Sequence, residues 1–153
     1  MPAQKPIRLL AIASGGGHWV QLLRMRSAWD DCDVTYASVH ASSADDVPGK
    51  RYVNFVDVSR RSLWRVPIVV AQMLWLVLRV RPQVIVTTGA MPPLLALVLG
   101  RLIGARTLWI DSIANSERLS GSGEIARRFA HQVITQWPDL AQGNDPAYWG
   151  SVL

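Results

Sequence analysis

The sequence holds one cysteine, Cys32, and two lysines, Lys5 and Lys50, in 153 residues. A single cysteine excludes an intrachain disulfide and any multi-cysteine metal site, and a reducing compartment is the simplest setting. With so little lysine, the 16 basic residues are almost all arginine, and against 11 acidic residues they leave a net charge of +5. Arginine's planar fork grips phosphate and carboxylate bidentately, so anionic partners are expected; nucleic acid, an anionic membrane surface and a sugar diphosphate all qualify. Charged residues are only 18% of the chain against 50% hydrophobic, which excludes a disordered polymer. Long apolar runs are also missing. Leu9 to Ala13 is a five-residue run, against roughly 7–15 for the apolar region of a signal peptide. The uncharged helical run Val66 to Leu78 has 13 residues, which at ~1.5 Å each falls short of a ~30 Å hydrocarbon core. No segment is expected to span a membrane by itself, and the length fits one domain, residues 1–153.

What is present is short apolar strands alternating with helices. Arg8 to Ala13, Asp33 to Val39, Arg51 to Val58, Gln83 to Thr87, Arg106 to Ile110 and Gln132 to Thr135 read as strands. Trp19 to Trp29, Val66 to Arg79, a segment opened by Pro92-Pro93 and running through Leu94 to Ile103, and Ser120 to Ala130 read as helices, with Gly104 closing the third. Ala41 to Lys50 reads as a polar loop. This alternation predicts an α/β fold, a Rossmann-like doubly wound parallel sheet covered on both faces. Such sheets bind ligands outside the carboxyl ends of their strands. There the sequence places Ser14 to His18, then Thr88-Gly89, then Asp111-Ser112.

Ser14-Gly15-Gly16-Gly17-His18 between strand and helix lets backbone amides approach an anion at a helix start. A dinucleotide fingerprint would need a third glycine where Val20 stands, and the Gly-Lys-Ser/Thr of a P-loop is absent. A phosphate seat and a packing turn both satisfy the loop. His18 is placed to act as a general base. Asp111, ending a strand, either takes a proton, orients a sugar hydroxyl or caps the next turn. Glu117 and Arg118 follow in a polar loop, and Ser120-Gly-Ser-Gly123 offers either a second anion turn or an N-cap.

In the helix from Val66 to Arg79, Arg65, Gln72 and Arg79 form one narrow polar stripe and apolar residues cover the rest. Arg60, Arg61, Arg79 and Arg81 flank it, and Arg65 joins them on the expected membrane side, with Trp64, Trp75 and Leu76 toward a headgroup boundary, so an interfacial membrane helix is expected; burial against a protein partner is the alternative. Arginines without an aromatic-studded strand or a helix-turn-helix pattern do not point to nucleic acid.

Five motifs stand in order: Ala13-Ser-Gly-Gly-Gly-His18, Pro82-Gln-Val-Ile-Val-Thr-Thr-Gly89, Trp109-Ile-Asp111-Ser112, Glu117-Arg-Leu-Ser-Gly-Ser-Gly123 and Gln136-Trp137-Pro138. Together they resemble the acceptor-side subunit of the split glycosyltransferases. That family comprises the membrane-recruiting subunit of the eukaryotic dolichol-linked N-acetylglucosamine transferase and bacterial exopolysaccharide-synthesis relatives. The chain is more distantly similar to the N-terminal half of the peptidoglycan lipid-linked N-acetylglucosaminyltransferase.

The resemblance implies a single GT-B N-terminal-type domain, binding a polyprenyl-diphosphate-linked sugar, with a partner chain supplying the C-terminal half and the UDP-sugar. It implies an inverting hexosyltransferase subunit, inactive without its partner, at the cytoplasmic face of the cell membrane, with no metal and no cofactor. The alternative is a noncatalytic membrane anchor recruiting a catalytic partner. By position, His18 falls in the glycine loop facing the reaction centre, and Asp111 stands where the family usually has Glu. Gly89, Ser112, Glu117 and Arg118 fall in cleft-facing segments. Eukaryotic members carry an N-terminal transmembrane helix; none is expected here, so the Val66 to Arg79 helix is expected to anchor the chain. Trp149, Val152 and Leu153 stand where the family's tail meets the partner.

Overall fold

The computed structural model describes residues 5–152; Leu153, expected at the partner surface, lies outside the described residues. Seven strands form one parallel sheet: β1 (Arg8–Ile12), β2 (Asp33–Ser38), β3 (Arg51–Asn54), β4 (Val84–Thr87), β5 (Arg106–Ile110), β6 (Gln132–Thr135) and β7 (Ala147–Tyr148). Their spatial order is β3-β2-β1-β4-β5-β6-β7, so the winding reverses between β1 and β4. Four α-helices connect them: α1 (Gly17–Arg24), α2 (Val66–Val80), α3 (Met91–Leu102) and α4 (Gly121–Ala126). This is the doubly wound Rossmann-like plan.

Strands buried on both sides must be apolar at successive positions, and Leu9 to Ile12 are all buried. On one face Leu9, Ala11, Val34, Tyr36 and Val86 meet Trp19 and Leu22 of α1. On the other, Leu10, Ile12, Ala37 and Ile85 meet Val69, Met73, Leu76 and Val77 of α2, together with Ala96 of α3. A third cluster joins Leu94, Leu97, Trp109, Ala126 and Val133 beneath α3 and α4.

Several expected boundaries move, each for a local reason. The first helix ends at Arg24, and a 3-10 turn from Arg26 to Trp29 follows. That turn brings Trp29 under β2, where its Nε1–H donates to the Tyr36 hydroxyl at 3.2 Å. β3 stops at Asn54 instead of Val58, because the Val56 amide donates to Gln72 Oε1 of α2 at 2.9 Å rather than to a strand. α4 ends at Ala126 as bonds to the third residue back, such as Phe129 N to Ala126 O, wind the chain more tightly. The expected loop 41–50 contains a 3-10 turn, Ala41–Asp46, and Asp46 accepts the Trp19 indole proton at 2.8 Å. β7 was outside expectation: two residues are too few to carry a pattern.

The helical run is also longer than its uncharged stretch. A 3-10 turn at Leu63–Arg65 leads into α2, and the 18 residues Leu63–Val80 are long and apolar enough to cross a membrane by length and composition. The expectation that no segment has that reach is therefore corrected. Yet Val69, Met73, Leu76 and Val77 pack on the sheet, so the helix lies along the domain. Leu76, expected at a headgroup boundary, is 1% exposed. It falls in the inward stripe with Val69 and Met73, at the i, i+4, i+7 spacing of one helix face, whereas Trp75 lies about 100° around the helix.

Candidate functional site

The site grows from the loops after β1, β4 and β5. Gly16 precedes α1 with φ of 65°, a backbone that favours glycine, and no side chain caps the helix start. The first amides of α1 are therefore left to solvent or to an anion. Gly15 is needed for a different reason: the His40 ring lies against it, and a Cβ there would come within 2.5 Å of the ring.

His18 is held in a reciprocal clasp. Its Nδ1 lies 2.9 Å from the Thr88 carbonyl oxygen, and the Thr88 hydroxyl donates to the His18 carbonyl at 2.6 Å. A carbonyl only accepts, so Nδ1 carries the proton and Nε2 of the neutral ring is left as the basic nitrogen. Gly89, at φ of 135°, makes room for the ring, since a Cβ there would sit 2.8 Å from His18 Cε1. Ala90 follows with φ of 78° and ψ of 164°, in a region essentially reserved for glycine. Backbone strain is thus stored where β4 turns into α3, beside the histidine.

Asp111 is 2% exposed. Its Oδ1 accepts from Trp109 Nε1 at 3.1 Å and Ser120 Oγ at 2.6 Å. Its Oδ2 accepts from Asn115 Nδ2 at 3.1 Å and the Ser120 amide at 2.9 Å. The carboxylate is thereby committed to shaping the β5–α4 loop, which is the capping role among the readings open to it. Ser120 in turn caps α4, its Oγ accepting from the Gly123 amide at 2.9 Å. The Ser120–Gly123 turn is an N-cap, and the amide that an anion would need is already taken. Ser112 Oγ accepts from the Ala114 amide at 3.2 Å. Glu117 and Arg118 are exposed and form no ion pair among the described residues.

Two residues outside the expected set bind the loops together. Gln21, buried on α1, donates to the Asp111 carbonyl at 3.1 Å and accepts from the Ile113 amide at 3.2 Å. Thr88 supplies the clasp. Gln21 had a legible signal, being a polar residue between Trp19 and Leu22 on the buried stripe of its helix. Trp137 Nε1 donates to the Ile113 carbonyl at 2.8 Å and extends the belt to β6.

Beside the glycine turn opens a groove of about 500 Å³, lined by Gly15, Gly16, His40, Asn54, Asp57 and Arg65 among others. Arg65 stacks over the Trp64 ring at 5.0 Å and, like Arg60, Arg61 and Arg79, enters no ion pair among the described residues. Ser14 is buried at the back of this groove. The structure thus brings Ser14, Gly15, Gly16, Gly17, His18 and Gly89 to the β1/β4 switch point, with Asp111 and Ser112 one strand away.

The outer side of α2 is apolar and bare: Leu63, Trp64, Ile68, Leu74, Trp75 and Leu78 are exposed, Trp64 by 69% and Trp75 by 56%. Toward the C-terminus, Trp149 and Val152 border an apolar groove of about 440 Å³ over Leu108, Ile110 and Ile134, facing Met25 and Trp29. Gln136 pins this tail, accepting from the Val152 amide at 2.8 Å through Oε1 and from Ser151 Oγ at 2.5 Å through its carbonyl.

Sheet order, switch-point crevice and glycine turn define the class: a Rossmann-like α/β domain whose fold is similar to that of GT-B N-terminal domains. In solved structures the chain is similar to MurG of Acinetobacter baumannii, with a TM-score of 0.73 at 12% identity, over 93% of this chain and 44% of that one. It is also similar to UDP-N-acetylglucosamine 2-epimerase from Rickettsia bellii, with a TM-score of 0.66 at 9% identity, over 88% and 40%. At such identities the likeness is one of fold, and this chain spans less than half of either protein. The sequence gives the family: the profile described as oligosaccharide biosynthesis protein Alg14 like matches residues 51–153, and the chain belongs to that family. Two curated relatives carry the name UDP-N-acetylglucosamine transferase subunit ALG14. The one from Eremothecium gossypii is 26% identical over 97% of this chain and 80% of the relative. The one from Mus musculus is 25% identical over 91% and 79%.

Proposed function

We propose that the chain is the acceptor-side subunit of a two-chain inverting glycosyltransferase. It moves a hexose, of the N-acetylglucosamine, glucose or glucuronic acid type, from a UDP-sugar to a polyprenyl-diphosphate-linked sugar. The observation that carries this reading is the His18 clasp. An imidazole locked with Nε2 as its basic nitrogen stands beside an uncapped glycine turn, at the β1/β4 switch point of the sheet.

In the proposed reaction the acceptor hydroxyl oxygen attacks the anomeric carbon, its proton passes to His18 Nε2, and UDP departs with the bonding electron pair. The amides of Gly16 and Gly17 and the Arg65 guanidinium hold the acceptor's diphosphate. Asp111 is a positioning residue: it fixes the loop that Gln21 ties to α1. The partner chain supplies the nucleotide-sugar wall and docks against the groove bordered by Trp149 and Val152, whose apolar lining is open on this chain alone. The outer side of α2, with arginines at both ends, rests on the cytoplasmic membrane face.

The test is reconstitution. Transfer from a UDP-sugar to a polyprenyl-diphosphate sugar is expected from the co-purified pair and from neither chain alone; turnover by this chain alone overturns the split-site reading. The bare α2 face also favours a second reading, a membrane recruiter without chemistry, in which His18→Ala leaves the pair's kcat unchanged.

A further inference from the structure

Next to the polar groove lies a dry recess. Val58, Val66, Val70, Met91, Pro92 and Leu95 line a slot of about 220 Å³ between the starts of α2 and α3, with buried Val69 behind them. All these side chains are apolar. The slot and the groove meet twice along the chain: Asp57 lines the groove and Val58 the slot, and Arg65 lines the groove and Val66 the slot. Consecutive Cα atoms are about 3.8 Å apart, so at both places the change from polar to apolar takes the width of one residue. On the third side, Met91 stands two positions after Gly89, which makes room for His18.

Size and charge narrow the occupant. A site enclosing a whole small molecule measures roughly 300–1,000 Å³; this slot is smaller and suits a short hydrocarbon segment whose remainder lies elsewhere. At its mouth Arg65 offers a guanidinium without an ion-pair partner among the described residues. The acid nearby, Asp57, is exposed and accepts from the Val58 amide at 2.8 Å. The wanted ligand is therefore an anion whose hydrocarbon begins within a residue's width of its charge. A bilayer phospholipid does not match, because a glycerol ester separates its phosphate from its chains. Nor does the slot open on the outer side of α2: Val66 and Val70 lie on the flank toward α3, while Trp75 and Leu78 lie on the outer side.

We infer that the slot seats the first isoprene units of a polyprenyl diphosphate whose diphosphate occupies the glycine groove. This assignment rests on the acceptor reading above and adds to it that the protein recognises the lipid's first units, so that the prenyl chain sets the register of the sugar at His18.

The test titrates the full chain with farnesyl diphosphate and with inorganic pyrophosphate by calorimetry, below the micelle concentration of the former. Burying the prenyl segment should make farnesyl diphosphate bind roughly 30-fold more tightly than pyrophosphate. Met91→Trp, which fills the slot from an exposed position, should bring the two affinities together and leave pyrophosphate binding unchanged. Val70→Asp should do the same, so the test does not hang on the folding of one variant, and Trp75→Glu should preserve the preference. Equal affinities in the unaltered chain overturn the slot while leaving the diphosphate site standing. Binding of neither probe overturns the diphosphate site and the slot with it. A preference lost in Trp75→Glu but kept in Met91→Trp overturns the slot by moving the hydrocarbon to the outer side of α2.

Discussion

The carboxyl rim of the sheet and the outer side of α2 adjoin at Arg65 and Val66, yet they are made of opposite materials. At the rim, polar side chains pair across the loops: His18 with Thr88, Gln21 with Asp111 and Ile113, Asp111 with Trp109, Asn115 and Ser120. On the outer side of α2 the exposed side chains include Ile68, Leu74, Trp75 and Leu78, for which no hydrogen bonds are found among the described residues. A belt of hydrogen bonds fixes atoms to within fractions of an ångström, as proton transfer requires. An apolar surface adheres without fixing anything, as contact with a fluid layer requires. Geometry is concentrated at one end of the helix and adhesion along its side.

Substitutions at the rim should therefore affect chemistry, and those on the outer side of α2 only attachment. The largest effect is expected from His18→Ala in the two-chain complex, where kcat should fall by about 10²–10⁴ with KM nearly unchanged. A KM change alone would turn the histidine into a binding group. Asp111→Ala comes next. It strands the Trp109, Asn115 and Ser120 donors in a buried site and should lower stability by roughly 3 kcal/mol or more, read from urea denaturation. A loss below about 0.5 kcal/mol would show that the belt is not what holds the loop.

On α2 two adjacent residues sharpen the contrast. Leu76→Ala should cost about 2–5 kcal/mol, whereas Trp75→Glu with Leu78→Glu should leave stability within roughly 1 kcal/mol. The double variant should abolish flotation with anionic phosphatidylglycerol vesicles while sparing turnover on a detergent-dispersed acceptor. Retained flotation would return this surface to a protein interface.

The smallest effect concerns His131, on the far end of the sheet from the rim. Burial, then the charges of Arg101 and Arg106, hold its imidazole below the usual histidine value, and its Nδ1 accepts from the Thr107 amide at 3.2 Å. The unfolded chain then binds more protons in the interval below about pH 6.5, so stability rises with pH across it and is lost as pH falls through the folded value. Thermal midpoints between pH 5 and pH 7.5 should show this slope, and His131→Gln should flatten it; an unchanged slope would assign the effect to other groups.

Much of the contrast was legible in the residues. Leu9 to Ile12, apolar at every position, announces a strand covered on both faces, and three glycines before His18 announce a tight turn at its carboxyl end. The excess of apolar circumference on α2 was equally visible. What could not be read was which long-range partner each polar group would choose. Val56 looked like a continuing strand until Gln72, sixteen residues on, took its amide. Asp111 left catalysis, sugar orientation and capping all open, because the donors that occupy it come from residues up to nine positions away. Leu76 and Trp75 are equally apolar, and only the sheet decides which of them turns inward.

The direction of α2 has one more consequence. The helix starts at the rim and runs 15 residues to the opposite end of the sheet, about 22 Å. Were its side to lie flat on a bilayer, as proposed, the mouth of the crevice would sit at headgroup height. In that proposed orientation the crevice would meet an acceptor sugar close to its lipid, so height above the bilayer would act as a ruler.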